Sequence, residues 1–161
     1  NRKQLNIVLD PILISGTNEN LSSIEIMEAM KAHLFPLCLV LTPNLAELNA
    51  LAPGLDEQAA VASLNCPWIL VTTSDSSEAE IEHRLYHEAK LIQKFIYDKL
   101  PHKFHGSGCT LSSAISALIA SGDDVDVACN KALQYTYQCL LNAKKLGKMQ
   151  FHPNRTSSKL I

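Results

Sequence analysis

Short continuous apolar runs alternate along this chain with stretches whose apolar residues recur every three or four positions. The runs are LNIVLDP (5–11), LCLVLTPN (37–44) and WILVTT (68–73), each closed by a proline or a polar pair. They predict buried strands. Between the first two, SSIEIMEAMKAHLF (22–35) places Ile24, Met27, Met30 and Leu34 at helical spacing behind Ser22 or Ser23 as cap. NLAELNAL (44–51), ended by Pro53-Gly54, and DEQAAVASL (56–64), opened by Asp56, predict two shorter helices. EIEHRLYH (80–87) and KLIQKFIYDK (90–99) predict a hairpin turning around 87–89. The stretch HGSGCTLSSAISALIASG (105–122) then opens on glycines and continues at helical spacing. A long helix from Val125 to Lys145 follows, and the polar tail after Gly147 reads as irregular.

Buried strands alternating with helices predict an α/β fold, a mostly parallel sheet covered by helices on both faces, with right-handed crossovers. Ligands of such sheets sit at the carboxyl ends of the strands. Asp10, Asn44 and Thr72-Thr73 all fall there, which gathers polar groups of three separate segments on one rim.

Composition narrows the partners. With 161 residues, 47% hydrophobic and 19% charged, the chain suits one domain (1–161) with a real core. A net charge of −2 predicts no attraction to nucleic acid or anionic membrane. Cys38, Cys66, Cys109, Cys129 and Cys139 are scattered without a CxxC pair, which argues against a disulfide scaffold or zinc knuckle and for a reducing, cytoplasmic setting. No run approaches a membrane span. The chain starts at Asn1 and enters an apolar run by Leu5, so it is expected to be a piece of a longer protein. A sheet cut in that way exposes a strand edge, and association as a homodimer is the expectation that follows.

The candidate chemistry lies where the helix after residue 105 begins. Gly106 and Gly108 let the backbone turn sharply and approach a ligand closely. The first N–H groups of a helix have no intrahelical acceptor and lie at the positive end of its dipole, which makes an anion site suited to phosphate. Cys109 sits in that first turn, and Thr110 adds a hydroxyl. A simple turn into a core helix fits the local pattern too. The stretch is not a Walker A loop, because no lysine follows the second glycine. It is not a dinucleotide fingerprint, because Leu111 stands where a third glycine would be.

In TPNLAEL (42–48), Asn44 and Glu47 share one face at a helix start. They suit a hydrated Mg²⁺. They also fit a capping box, the stronger reading on spacing alone. Asp10-Pro11 is either a turn or a group facing Mg²⁺ or a phosphate-bound water. The pairs His83/His87 and His102/His105 lack zinc-ligand partners and are expected at the surface. The other four cysteines are expected as small buried hydrophobes and Trp68 as core. Tyr135 and Tyr137 are expected to pack, with adenine contact as the alternative.

Taken in order, VLDPIL (8–13), LTPNLAEL (41–48) and HGSGCTLSSAISAL (105–118) resemble the ribokinase superfamily. Within it they look like the hydroxymethylpyrimidine/phosphomethylpyrimidine kinases of thiamine biosynthesis, over about residues 7–150. The third segment is the most specific. It is similar to the family's HGTGCTLSAAI, with Ser107 in place of Thr and Cys109 where most of the superfamily has Asp. Hydroxyethylthiazole kinases share GxGC, but TPNxxE fits the pyrimidine kinases better.

The resemblance implies transfer of the γ-phosphoryl of ATP to 4-amino-5-hydroxymethyl-2-methylpyrimidine and then to its monophosphate. It implies that Gly106, Ser107 and Gly108 form the anion hole and that Cys109 takes the base position. Glu47 and Asn44 would organise Mg²⁺ water, and Asp10 would lie near the phosphates. Thr72 and Thr73 would offer hydroxyls on the nucleotide side. Two departures stand out. The family's Lys-Gly-Gly-His stretch is replaced by VTTSDSSEAE (71–80), and the glycine-rich N-terminal portion that lines the pyrimidine pocket has no counterpart. They favour, as a second reading, a non-catalytic nucleotide- or partner-binding remnant. Hydroxyethylthiazole or pyridoxal kinase is the enzymatic alternative. A cysteine hydrolase is disfavoured, since no histidine is assigned as its base.

Overall fold

The computed structural model describes residues 5–13, 22–73 and 79–156. Its elements are β1 (Val8–Leu9), α1 (Ile24–His33), a 3-10 turn (Phe35–Leu37), β2 (Val40–Leu41), α2 (Leu45–Leu51), α3 (Glu57–Ser63), β3 (Trp68–Val71), β4 (Glu80–His87), β5 (Lys90–Asp98), α4 (Ser107–Ala120) and α5 (Val125–Leu141). The strands form one sheet in the order β1-β2-β3-β4-β5. The first two pairings are parallel and the last two antiparallel, so β4 alone runs against the other strands.

Alternation along the strands divides the core. Val8, Val40, Leu70 and Leu85 face a cluster with Leu111, Ile115 and Leu118 of α4 and Ala128, Cys129, Ala132 and Leu133 of α5. Leu9, Leu41, Ile69, Val71 and Tyr86 face the opposite cluster, with Phe35, Leu48, Leu51, Val61 and Leu64. The helices α1, α2 and α3 lie on one face of the sheet, and α4 and α5 cover the other. Each large apolar side chain so buried stabilises the fold by roughly 1.5–3 kcal/mol.

Several elements differ from expectation in informative ways. The first apolar run contributes only Val8–Leu9 to the sheet, because its partner β2 is confined between the 3-10 turn and Pro43. Past Pro43 the β2–β3 pairing resumes at an Asn44–Thr72 bridge, where the Thr72 N–H donates to the Pro43 carbonyl at 2.9 Å. On α1, capped by Ser23, only Met27 and Met30 pack on the core, while Ile24 and Leu34 stay 71% and 45% exposed. The hairpin turns through Glu88 and Ala89, both at positive φ (48° and 57°).

Helix α5 stops at Leu141 rather than Lys145, where the Asn142 side chain and backbone both donate to the Gln138 carbonyl. The tail is ordered beyond it. Lys144 bridges His152, Phe151 pairs with Phe104, and the Asn154 N–H donates to the Cys139 carbonyl at 2.9 Å. His102 stacks on Phe151 with ring centroids 4.0 Å apart. Residues 143–156 therefore form a strap from the end of α5 across 103–105.

His83 and His87 are partly buried rather than at the surface, while His102 and His105 are exposed. His87 stacks on Trp68, and His83 Nδ1 accepts the Thr73 N–H at 3.2 Å. Tyr137 donates to the Asp98 carbonyl. Burial pushes the Cys66 and Cys129 thiols up to about 12, and Cys38 and Cys139 are buried too. Among the described residues no group of three or more His, Cys, Asp or Glu is arranged to hold a metal ion, and no helix is long and apolar enough to cross a membrane.

Candidate active site

Helix α4 begins at a residue only glycine adopts readily. Gly106 is its N-cap, at φ 85° and ψ 16°, in the left-handed region. No side chain caps the helix and no acid lies in its first turn. The Thr110 N–H bonds the Gly106 carbonyl at 3.1 Å. The N–H groups ahead of it have no intrahelical acceptor and point out of the helix end. Thr110 is buried, and its hydroxyl donates to the Gly106 carbonyl at 2.6 Å.

The end of β1 faces this turn. Gly108 approaches so closely that a Cβ there would lie 3.1 Å from Asp10 Oδ2. The exposed Cys109 thiol lies beside Asp10. Burial raises the Asp10 pKa from 3.8 to about 6, the neighbouring Glu47 carboxylate adds to the rise, and the polar thiol of Cys109 opposes it.

Glu47 is buried, 3% exposed, and its oxygens are occupied on two sides. Oε2 accepts the Asn44 N–H at 2.9 Å, while Asn44 Oδ1 accepts the Glu47 N–H at 2.9 Å, which is the full capping box. Oε1 accepts the Leu13 N–H at 3.0 Å, a bond 34 residues apart in sequence. The chain reaches it through Ile12 at φ 46°, a strained conformation for a β-branched residue. The capping box therefore fixes the Glu47 carboxylate beside Asp10.

Thr72 lies next to Asn44 through its backbone bridge. Thr73 turns to β4, its hydroxyl donating to the Glu82 carbonyl at 2.9 Å. Residues 74–78, the middle of the unusual 71–80 segment, lie outside the described residues. The structure thus brings together Asp10, Asn44, Glu47, Gly108 and Cys109, and adds a residue no motif contained. Arg155, on the strap, donates from Nε to Thr110 Oγ1 at 2.9 Å. A polar tail offers no periodic signal that would place it there.

The sequence profile of phosphomethylpyrimidine kinase matches residues 1–154. A hydroxymethylpyrimidine/phosphomethylpyrimidine kinase of Mycobacterium bovis is 29% identical over 151 residues, covering 88% of this chain and 55% of the relative. A pyridoxine kinase of Bacillus subtilis is 30% identical over 146 residues, covering 83% of this chain and 53% of the relative. The chain thus spans about half the length of the curated relatives it matches. Among solved structures, an ADP complex of Bacillus subtilis pyridoxal kinase superposes with a TM-score of 0.81 at 25% identity, over 94% of this chain and 60% of that one. The ribokinase-like architecture expected from the sequence is therefore the one observed.

Proposed function

Because this chain belongs to the phosphomethylpyrimidine kinase family, we propose that the protein transfers a phosphoryl group from ATP to 4-amino-5-hydroxymethyl-2-methylpyrimidine and then to its monophosphate. The observation that carries this reading is the uncapped start of α4 set against Asp10. Phosphoryl transfer is largely a matter of positioning and charge stabilisation, and outward N–H groups at a helix start supply both. Cys109 is the base for the first transfer. Its own proton passes to Asp10, a carboxylate with a raised pKa, and the thiolate takes the proton of the acceptor hydroxyl. The second acceptor is a phosphate anion and needs little such help.

Mg²⁺ fits the donors present. Asp10 and Glu47 are hard oxygen ligands close enough to repel each other, and no ion pair among the described residues neutralises either. The Glu47 oxygens already accept two N–H groups. Glu47 and Asn44 would therefore hold the ion through its waters, with Asp10 beside the phosphates. Bound there, Mg²⁺ would neutralise charge on the phosphates.

A melt of the chain with and without Mg²⁺-ATP tests the reading. Ligand at 100 times its Kd adds about 2.7 kcal/mol, a rise of roughly 5–10 °C. Turnover of the pyrimidine alcohol should accompany it. A cooperative melt that does not move would support the non-catalytic remnant instead. The pyridoxine and pyridoxal kinase relatives favour pyridoxal as an alternative acceptor, which direct competition between the two alcohols decides.

A further inference from the structure

A cation from the far end of the chain lies on the start of α4. The Arg155 guanidinium donates through Nε to Thr110 Oγ1 at 2.9 Å, and its Nη2 is 3.5 Å from the Gly106 carbonyl oxygen. A Cβ at Gly106 would sit 3.2 Å from that same Nη2. The strap holds the residue in place. Tyr135 donates its hydroxyl proton to the Arg155 carbonyl at 3.0 Å, and the His105 N–H donates to the Phe151 carbonyl at 2.9 Å.

The Asp10 carboxylate faces this helix start at Gly108, yet it forms no ion pair with Arg155. A helix start is already positive, and α4 has no acid in its first turn. No ion pair with a carboxylate among the described residues balances Arg155. The rest of its N–H fork has no partner among the described residues, and the side chain is exposed. Two like charges held together become favourable when an anion lies between them. The segment 71–80 contains no lysine or arginine, so it contributes no cation of its own.

We infer that Arg155 is a phosphate-binding residue of this site. Its free N–H groups and the outward N–H groups of 107–109 converge on one phosphate of the nucleotide, a geometry suited to a planar guanidinium. The assignment rests on the kinase reading above.

Calorimetric titration with Mg²⁺-ATP and with tripolyphosphate, on the wild-type chain, Arg155→Gln and Arg155→Lys, tests it alongside ligand-free melts. Arg155→Gln should melt like wild type without ligand. It should bind both probes about tenfold or more weakly, the loss of one charge-assisted hydrogen-bonding group. Arg155→Lys should recover part of that loss. Wild-type affinity in Arg155→Gln overturns the inference and leaves the kinase reading standing. So does a lowered ligand-free melt with unchanged affinity, which would make Arg155 a structural pin. If both melt and affinity fall, the lysine variant decides, and no recovery overturns the inference. A wild-type chain that binds neither probe overturns the kinase reading itself, and this assignment with it.

Discussion

Asp10 is a carboxylate that the fold prefers protonated. Its pKa rises from 3.8 to about 6, so between those values the folded chain keeps a proton that the unfolded chain has lost. Stability from this residue is complete below about pH 4 and declines as pH rises through 6. Asp10→Asn stays neutral throughout. It should match wild type near pH 4, melt higher at pH 7, and lose phosphoryl transfer. Melts across pH 3.5–8 check this, and parallel profiles for the two proteins would contradict it. His83 works in the other direction. Burial, then the Arg84 charge, lowers it from 6.5 to about 4, so its contribution is present above 6.5 and fades as pH falls towards 4. A His83→Gln variant should therefore show a steeper loss of stability with rising pH than wild type.

Among the elements, the β4–β5 hairpin carries avoidable strain. Glu88 and Ala89 occupy the two central positions of its turn at positive φ, where asparagine and glycine are favoured. Ala89→Gly should stabilise the protein by about 0.5 kcal/mol, since the left-handed penalty of about 1 kcal/mol is partly offset by the freer unfolded chain. Urea unfolding reads the change as a higher midpoint at constant slope. The strands of this hairpin were legible from their residue types. The turn was less so, because Glu-Ala does not announce positive φ. The strap was not legible at all. It is held by isolated backbone bridges at Phe104–Phe151 and Lys144–His152, which leave no periodic pattern. The capping box at Asn44 and Glu47 was readable from spacing. The Leu13 N–H that completes the Glu47 environment comes from 34 residues away and has no local signal.

For the whole molecule, a single sheet feeds both hydrophobic clusters with alternate residues of the same strands. Losing either cluster exposes one face of every central strand, so the two should melt together. Trp68 fluorescence and far-UV circular dichroism should give superimposable thermal transitions. Separated midpoints would show that one helical layer detaches alone. This architecture was legible because apolar runs and helical spacing are strong signals, and because strand ends gather on one rim in α/β folds. Asp10 and Asn44 followed from that rule, Glu47 from its spacing to Asn44 and the 106–110 turn from its glycines at a helix start, whereas Arg155 depended on the path of the strap.

That path sets an order of assembly on the ribosome. Asp10 and Glu47 emerge before the 106–110 turn, and Arg155 follows Thr110 by 45 residues. At ordinary elongation rates this gap lasts on the order of a few seconds. The nascent chain therefore carries a carboxylate pair and a bare helix start before its guanidinium arrives. The interval between Thr110 and Arg155 determines when that turn gains its second positive group.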